Sequence, residues 1–213
     1  MALGLARVLA AALAVVAGLA PVATAADAPA ILVVGDSISA GYGLSAGQGW
    51  VDLLARKVAA SGAPYRVVNA SISGDTTAGG RARLPALLKQ HRPAIVVLEL
   101  GGNDALRGLP LAMTRDNLDA MAKAAKASGA RVVIAGMQLP PNYGRSYGAE
   151  FAALFADVAK ADGAALVPFL LKGVADGPEA ERMFQADRIH PTAAAHPTIL
   201  DNIWPVLLPL LKR

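Results

Sequence analysis

The segment that most constrains the fold is residues 31–41, whose sequence is ILVVGDSISAG. A continuous apolar run bounded by glycine is typical of a strand that is buried on both faces of a parallel sheet. Ser37 then follows the carboxyl end of that strand, at the edge where open α/β sheets bind ligands. The Ser37 hydroxyl is therefore a candidate nucleophile. The alternative is that Ser37 only caps the following turn or helix.

Strand-like runs alternate with helical patterns along the rest of the chain. Alternation of this kind predicts right-handed βαβ units, and hence an α/β fold whose parallel sheet is covered on both faces. One domain over residues 30–213 accounts for the whole pattern, although residues 170–182 fit neither the strand pattern nor the helix pattern. The predicted strands are residues 31–35, 66–70, 95–100, 131–135 and 164–167, and the predicted helices are residues 50–60, 81–90, 114–128, 147–161 and 193–212.

Composition excludes several classes of protein. The 213 residues, 54% of them hydrophobic, suffice for one α/β domain with a large core. The absence of cysteine excludes disulfides, cysteine-based metal sites and a lipoprotein anchor. The net charge is +4, but the basic residues are scattered, so we expect no nucleic-acid partner.

Residues 1–25 have the pattern of a secretory signal peptide. Arg7 supplies the positive charge, residues 8–19 the apolar segment, and residues 23–25 a small-residue cleavage site. The alternative is a membrane anchor, but Pro21 ends the apolar run short of the ~20 residues that a spanning helix needs. We therefore expect cleavage after Ala25, a periplasmic or secreted protein, and no stable membrane insertion afterwards.

A candidate base and orienting acid lie near the C-terminus, in the segment Asp187-Arg188-Ile189-His190-Pro191. A serine nucleophile needs a neighbouring base, and a histidine base needs an acid on its other ring nitrogen. Asp187 can fold back onto His190 across one turn. The alternative is an Asx-turn that leads into the last helix.

The other two histidines fit structural roles. His91 lies near a helix C-terminus, where a cation is favoured, and His196 stands among alanines before a proline.

An oxyanion requires hydrogen-bond donors, and the sequence offers three at consecutive strand ends. They are the N–H of Ser37, the N–H of Gly74 after the second strand, and the side-chain amide of Asn103 after the third. Taken singly, Gly74 and Asn103 are better explained as turn residues. Turn chemistry alone does not explain why all three follow strands.

Four segments together resemble the sequence blocks of the GDSL/SGNH hydrolases. They are residues 35–37, 69–76, 101–104 and 187–190, and they occur in the order of that family. The flanking residues 83–91, 98–108 and 139–144 are similar to one branch, the periplasmic multifunctional thioesterase I, arylesterase and lysophospholipase enzymes. The resemblance implies a flavodoxin-like three-layer α/β/α sandwich with a five-stranded parallel sheet, and hydrolysis of acyl esters and thioesters. We expect no cofactor and no metal, because the chain has no cysteine and its histidine–carboxylate pair is already used as base and orienting acid.

The resemblance also implies a role for each site residue. Ser37 would be the nucleophile, His190 the base and Asp187 the orienting acid, while Ser37, Gly74 and Asn103 would form the oxyanion hole. One departure is Arg188, where that branch usually has glycine. A bulky cation beside the base predicts altered access or a preference for anionic substrates.

Acyl-chain hydrolysis requires an apolar groove. Five residues near the strand ends are candidates to line this groove: Leu106, Leu109, Met137, Leu139 and Tyr143. The alternative is that each is an ordinary core or loop residue. We expect the partner to be a small acyl ester or thioester and the protein to be a monomer.

Three other functions fit the sequence less well than an esterase does. A carbohydrate deacetylase would require exposed aromatic and polar side chains in the groove near the strand ends, and aromatic residues make up only 5% of the chain. A non-catalytic acyl-binding protein would need no base. A flavodoxin-like redox protein would need a phosphate-cradling loop after the first strand, which residues 37–41 match poorly.

Overall fold

The computed structural model describes residues 28–212, so the predicted signal peptide lies outside the described residues. Five strands form one parallel sheet in the order β2-β1-β3-β4-β5. This arrangement confirms the predicted α/β fold and places β3 at the centre of the sheet, with β1 beside it. The strands are β1 (Ala30–Gly35), β2 (Arg66–Asn69), β3 (Ile95–Glu99), β4 (Arg131–Ala135) and β5 (Ala165–Val167).

Helices cover both faces of the sheet. Helices α3, α5 and α6 pack side by side in that order, and α2 and α8 pack against each other as a second layer. The helices are α1 (Ser37–Ala40), α2 (Trp50–Ala60), α3 (Thr77–His91), α4 (Gly102–Leu106), α5 (Leu111–Ala127), α6 (Arg145–Asp162), α7 (Ala180–Met183) and α8 (His196–Leu211), with 3₁₀ turns at Pro141–Tyr143 and Ala193–Ala195.

The core is centred on β1 and β3. Every residue of β1 and of β3 is buried, including the charged Glu99 at the end of β3. Burial on both faces explains why these strands are continuous apolar runs rather than alternating ones. The loops at the carboxyl ends of β1 and β3 therefore follow strands that are fixed by packing on both faces.

The structure differs from the sequence prediction mainly in short or glycine-containing elements. Helix α3 begins at Thr77 rather than residue 81, because the Thr76 side chain caps it by accepting the N–H of Gly79. A Cβ on Gly80 would lie 2.3 Å from the Leu100 side chain, so glycine at this position lets α3 pack closely on Leu100. The same glycine interrupts the apolar periodicity from which a helix is predicted. Helices α1 and α4 have four and five residues, too few to show a period. Residues 170–182 are mostly turns.

Candidate active site

The carboxyl ends of β1, β2 and β3 bring the predicted site residues to one edge of the sheet. Gly35 of β1 is paired in register with Glu99 of β3, so the segments that follow these strands start side by side. A cleft of about 830 Å³ opens at this edge. Ser37, Gly74, Asn103 and His190 all line it.

The turn after β1 presents Ser37. Asp36 caps helix α1, because its Oδ1 accepts the N–H of Ile38 at 3.0 Å. Gly41 ends the helix after one turn, in a left-handed conformation with φ +74°. Ser37 is thus the first residue of a one-turn helix and is nine-tenths buried. Its hydroxyl faces the cleft and lies 2.9 Å from Nε2 of His190.

Asp187 uses both carboxylate oxygens on the His190 turn. Oδ1 accepts the backbone N–H groups of Ile189 at 2.9 Å and of His190 at 3.0 Å. Oδ2 lies 2.7 Å from Nδ1 of His190. These bonds, led by the one to the imidazole, lower the pKa of Asp187 from its usual 3.8 to about 2. With Nδ1 donating to this carboxylate, Nε2 is left to accept the hydroxyl proton of Ser37.

The turn that carries His190 is held from both sides. Phe184 and Pro191 form an antiparallel bridge at its base. The Gln185 amide donates to the carbonyl of Tyr42 at 2.8 Å and to that of Pro191 at 3.0 Å, which ties the turn to the segment after Ser37. The Tyr42 ring packs on the His190 imidazole, with centroids 4.3 Å apart.

Donors converge beside Ser37. Within residues 28–212, the backbone N–H groups of Ser37 and Gly74 make no hydrogen bond. Gly74 adopts φ +79°, a region that glycine enters without steric cost, and its carbonyl accepts Nη2 of Arg107 at 2.7 Å. Asn103 donates one amide N–H to Oδ2 of Asp36 at 3.0 Å. Its second N–H is available to the cleft.

Two acidic side chains are buried beneath this edge. Burial raises the pKa of Asp36 from its usual 3.8 to about 6. Burial, together with the negative charge of Asp36, also raises the pKa of Glu99 well above its usual range. Glu99 Oε2 accepts the hydroxyl of Ser39 at 2.6 Å and the N–H of Asp36 at 3.3 Å. These contacts connect β3 directly to the residues on either side of Ser37.

Much of the cleft wall is apolar. It is built largely from the segments that follow β4 and β5, and includes Met137, Leu139, Phe169 and Leu171. Leu106 also lines the cleft.

Leu109 and Tyr143, the other two candidates for the groove, are not among the residues that line it. Tyr143 lies on the 3₁₀ turn Pro141–Tyr143, and Leu109 lies in the connection between α4 and α5.

A family model and several known proteins match this chain. The model of the GDSL-like lipase/acylhydrolase family matches residues 33–197. The chain belongs to this family. It is 56% identical to Esterase TesA of Pseudomonas aeruginosa strain PAO1 over 87% of this chain and 91% of the relative.

Two further relatives are similar over comparable lengths. Thioesterase 1/protease 1/lysophospholipase L1 of Escherichia coli K12 is 44% identical over 89% of this chain and 88% of the relative. The crystal structure of the psychrotrophic esterase EstA from Pseudoalteromonas sp., inhibited by monoethylphosphonate, superposes with a TM-score of 0.80. It is 37% identical and covers 86% of this chain and 99% of its own.

Membership of the GDSL-like family confirms the resemblance found in the sequence. The matched region, residues 33–197, contains Ser37, Gly74, Asn103, Asp187 and His190. The three-layer arrangement with a five-stranded parallel sheet is the one expected for this family.

The sequence patterns do not indicate every residue of this cleft. Tyr42 and Phe184 line the cleft without standing next to a strand end, so no local pattern marks them. Glu99 did carry a signal, because a charged residue at the end of an otherwise apolar strand requires a buried partner.

Within residues 28–212, no cluster of three or more histidine or acidic side chains could hold a metal ion, and no helix is long and apolar enough to cross a membrane. His196 lies outside the cleft, where its Nδ1 accepts the N–H of Trp50 at 2.9 Å.

Proposed function

We propose that this protein is a serine esterase that hydrolyses carboxylic esters and thioesters through an acyl-enzyme formed on Ser37. The observation that carries the proposal is the hydrogen-bonded chain from Ser37 through His190 to Asp187, with contacts of 2.9 and 2.7 Å. A nucleophile, a base and an orienting acid in this arrangement are the requirements of acyl transfer. Membership of the GDSL-like lipase/acylhydrolase family supports the same activity.

Acylation begins when the Ser37 Oγ attacks the substrate carbonyl carbon and its proton passes to Nε2 of His190. The carbonyl π electrons move to the oxygen, where the N–H groups of Ser37, Gly74 and Asn103 would stabilise the new negative charge. Collapse of this tetrahedral species breaks the bond to the alcohol or thiol. The departing oxygen or sulfur takes the proton from His190, and the acyl group remains on Ser37.

Deacylation repeats the same steps with water. His190 removes a proton from water as the water oxygen attacks the acyl carbon. When the bond to Ser37 breaks, Oγ regains its proton from His190 and the carboxylic acid leaves. Asp187 remains ionised throughout and stabilises the imidazolium that forms in each half-reaction.

The acyl chain is proposed to lie along the apolar wall formed by Met137, Leu139, Phe169 and Leu171. Burial of a hydrocarbon chain there is favourable by about 0.8 kcal/mol for each CH₂ group. This wall favours acyl substrates over the acetylated sugars of a deacetylase, whose ring hydroxyls would require polar partners at that position. The name of one relative, thioesterase 1/protease 1/lysophospholipase L1, supports ester and thioester substrates alike.

We further propose that the protein acts in the periplasm or outside the cell, after removal of residues 1–25, and that it acts as a monomer. The signal-like sequence supports the first proposal. The second is supported by a site whose nucleophile, base, orienting acid and oxyanion donors all come from one chain.

The test of the nucleophile is labelling with an organophosphonate, followed by peptide mass analysis. We expect the wild-type protein to carry the label on Ser37, and the Ser37→Ala variant to be unlabelled and to lose about 10⁴–10⁶-fold in kcat. The Ser73→Ala variant is a matched control, because Ser73 lines the same cleft but, within residues 28–212, makes no hydrogen bond to a histidine as Ser37 does. It should still be labelled. Wild-type turnover by a folded Ser37→Ala protein would refute the proposal.

A further inference from the structure

We propose that Arg188 is a specificity-determining residue that binds negative charge on the leaving group of the substrate. The preferred substrates are then acyl esters or thioesters whose alcohol or thiol carries a phosphate. This inference rests on the proposed function and names the substrate class of the same site.

The backbone at Arg188 does not favour an arginine. Its φ is +57°, in the left-handed region that glycine occupies freely and that a residue with a Cβ enters at a cost. Within residues 28–212, Arg92 is the only other non-glycine residue with positive φ. Glycine would adopt this turn conformation without steric cost, so turn geometry does not account for the long cationic side chain of Arg188.

The guanidinium of Arg188 is available to a ligand. The residue is exposed and lines the cleft. Within the described part of the chain, its side chain makes no ion pair and no hydrogen bond. The nearest acid in sequence, Asp187, is occupied by His190 and by two backbone N–H groups. Asp176, another acid of the cleft, accepts the N–H of Gly173.

The mechanism indicates which part of the substrate meets Arg188. His190 must hand its proton to the departing oxygen or sulfur, so that atom lies against Nε2 during acylation. Arg188 stands two residues before His190 in the same tight turn, where the Arg188 N–H donates to the Gln185 carbonyl at 2.9 Å. The acyl chain is assigned to the wall after β4 and β5. The leaving group is therefore the part of the substrate nearest to this cation, and a phosphate is an anion that guanidinium binds well.

The test uses two thioesters that differ only in one phosphate close to the departing sulfur, the hexanoyl thioesters of 2-mercaptoethyl phosphate and of 2-mercaptoethanol. The quantity measured is the ratio of their kcat/KM values. The variants are Arg188→Gly, which removes the charge and suits the left-handed backbone, and Arg188→Lys, which keeps the charge. The matched control is Arg92→Gly, because Arg92 is an exposed arginine with positive φ that precedes β3, at the opposite edge of the sheet.

We expect Arg188→Gly to lower the ratio about fivefold, the upper range for an exposed ion pair. Arg188→Lys and Arg92→Gly should stay within about twofold of the wild-type ratio. Raising the ionic strength to about 1 M, where the screening length is about 3 Å, should bring the wild-type ratio down towards that of Arg188→Gly.

The inference is overturned if the ratio is unchanged in Arg188→Gly, or if Arg92→Gly lowers it equally. Hydrolysis of both thioesters with a ratio insensitive to Arg188 would overturn this inference and leave the proposed function standing. If the wild-type protein hydrolyses neither thioester, nor any simple ester, the proposed function itself fails.

Discussion

The Asn103 amide is fixed by its contact with Asp36. The amide nitrogen donates one N–H to Oδ2 of Asp36 at 3.0 Å, and the Asp36 carboxyl is held in turn by the N–H of Ile38. Because a carboxylate accepts hydrogen bonds, this contact places the nitrogen, not the oxygen, of the amide beside Asp36. The second N–H on the same nitrogen is then positioned for the oxyanion before the substrate binds. A donor oriented in advance needs no reorganisation during the reaction.

We predict that Asn103→Ala lowers kcat by roughly 10²–10³, about 3–4 kcal/mol, with KM nearly unchanged. The reason is that the oxyanion charge develops in the transition state, so a lost donor affects the chemical step and not substrate binding. Steady-state kinetics on a soluble ester measures both constants, and the melting temperature reports separately on any structural damage.

Asn103→Asp provides the matched comparison. Aspartate has nearly the same shape but supplies no donor when ionised, and it would add a second carboxylate beside Asp36. It should be less active than Asn103→Ala. If Asn103 were only a turn residue, Asn103→Ala would lower the melting temperature, Asn103→Asp would be tolerated, and kcat would barely change in either variant.

The residues near Ser37 that the sequence could predict are those with local signatures. The spacing of Asp187 and His190 allowed either an Asx-turn or a base with its orienting acid. The structure contains both arrangements, because one Asp187 oxygen accepts the turn N–H groups and the other contacts the imidazole. The contact between Asn103 and Asp36 joins residues 67 positions apart and has no local signature. It depends on the placement of β3 beside β1.

At the scale of elements, the site depends on how the ends of β1 and β3 fit together. Gly35 is paired with Glu99, and a Cβ on Gly35 would lie 2.6 Å from the Glu99 carboxylate and 2.7 Å from the Ser39 side chain. Glycine at position 35 therefore leaves the room that the buried carboxyl needs. The sequence shows the glycine and the acid separately. Their relation follows from strand order, which no short segment specifies.

We predict that the buried acids make wild-type stability fall as the pH rises from about 4 to 8. Burial raises the pKa values of Asp36 and Glu99, so at these two carboxyls the folded state binds more protons in this range than the unfolded state does. Their contribution is fully present below the usual carboxyl pKa and is lost as the pH rises through the raised values. Replacement of Glu99 by Gln removes one of these groups while keeping an acceptor for Ser39. The decline should therefore be shallower in Glu99→Gln.

Urea unfolding at pH 5 and pH 8 measures this effect. The free energy of unfolding of Glu99→Gln, relative to wild type, should increase by about 1–3 kcal/mol between the two pH values. Glu99→Leu is a second variant, and it should be destabilised at both pH values because the Ser39 hydroxyl and the Asp36 N–H lose their acceptor. Parallel stability curves for wild type and Glu99→Gln would show that Glu99 ionises as a free carboxyl.

At the scale of the whole molecule, β1 is an interior strand of the sheet and also the first strand in the described part of the chain. Strand β1 pairs with β2 on one side and with β3 on the other. Residues just before it also contribute, because the carbonyl of Pro29 accepts the N–H of Arg66 at 3.0 Å and that of Ala28 accepts its Nε at 3.1 Å. We therefore propose that the folding unit extends from about residue 28, two residues before the predicted domain start.

Truncation from the N-terminus tests this boundary. A chain that begins at Ala26 keeps every described contact and should unfold cooperatively with full esterase activity. A chain that begins at Ala30 loses the two bonds to Arg66, so its free energy of unfolding should fall by about 1–3 kcal/mol while activity is retained. Urea unfolding and the rate on one soluble ester compare the two chains.

A chain that begins at Val33 loses three residues that are fully buried in β1, Ala30, Ile31 and Leu32. Burial of the isoleucine and leucine alone stabilises the fold by about 1.5–3 kcal/mol each, and the ladder bonds to β2 and β3 add to that. Against a total stability of about 5–15 kcal/mol, we expect this chain to lose cooperative unfolding and all activity. Activity in it would mean that the carboxyl half of β1, residues 33–35, suffices to hold Ser37 against His190. In that case residues 30–32 would stabilise the fold without positioning the site.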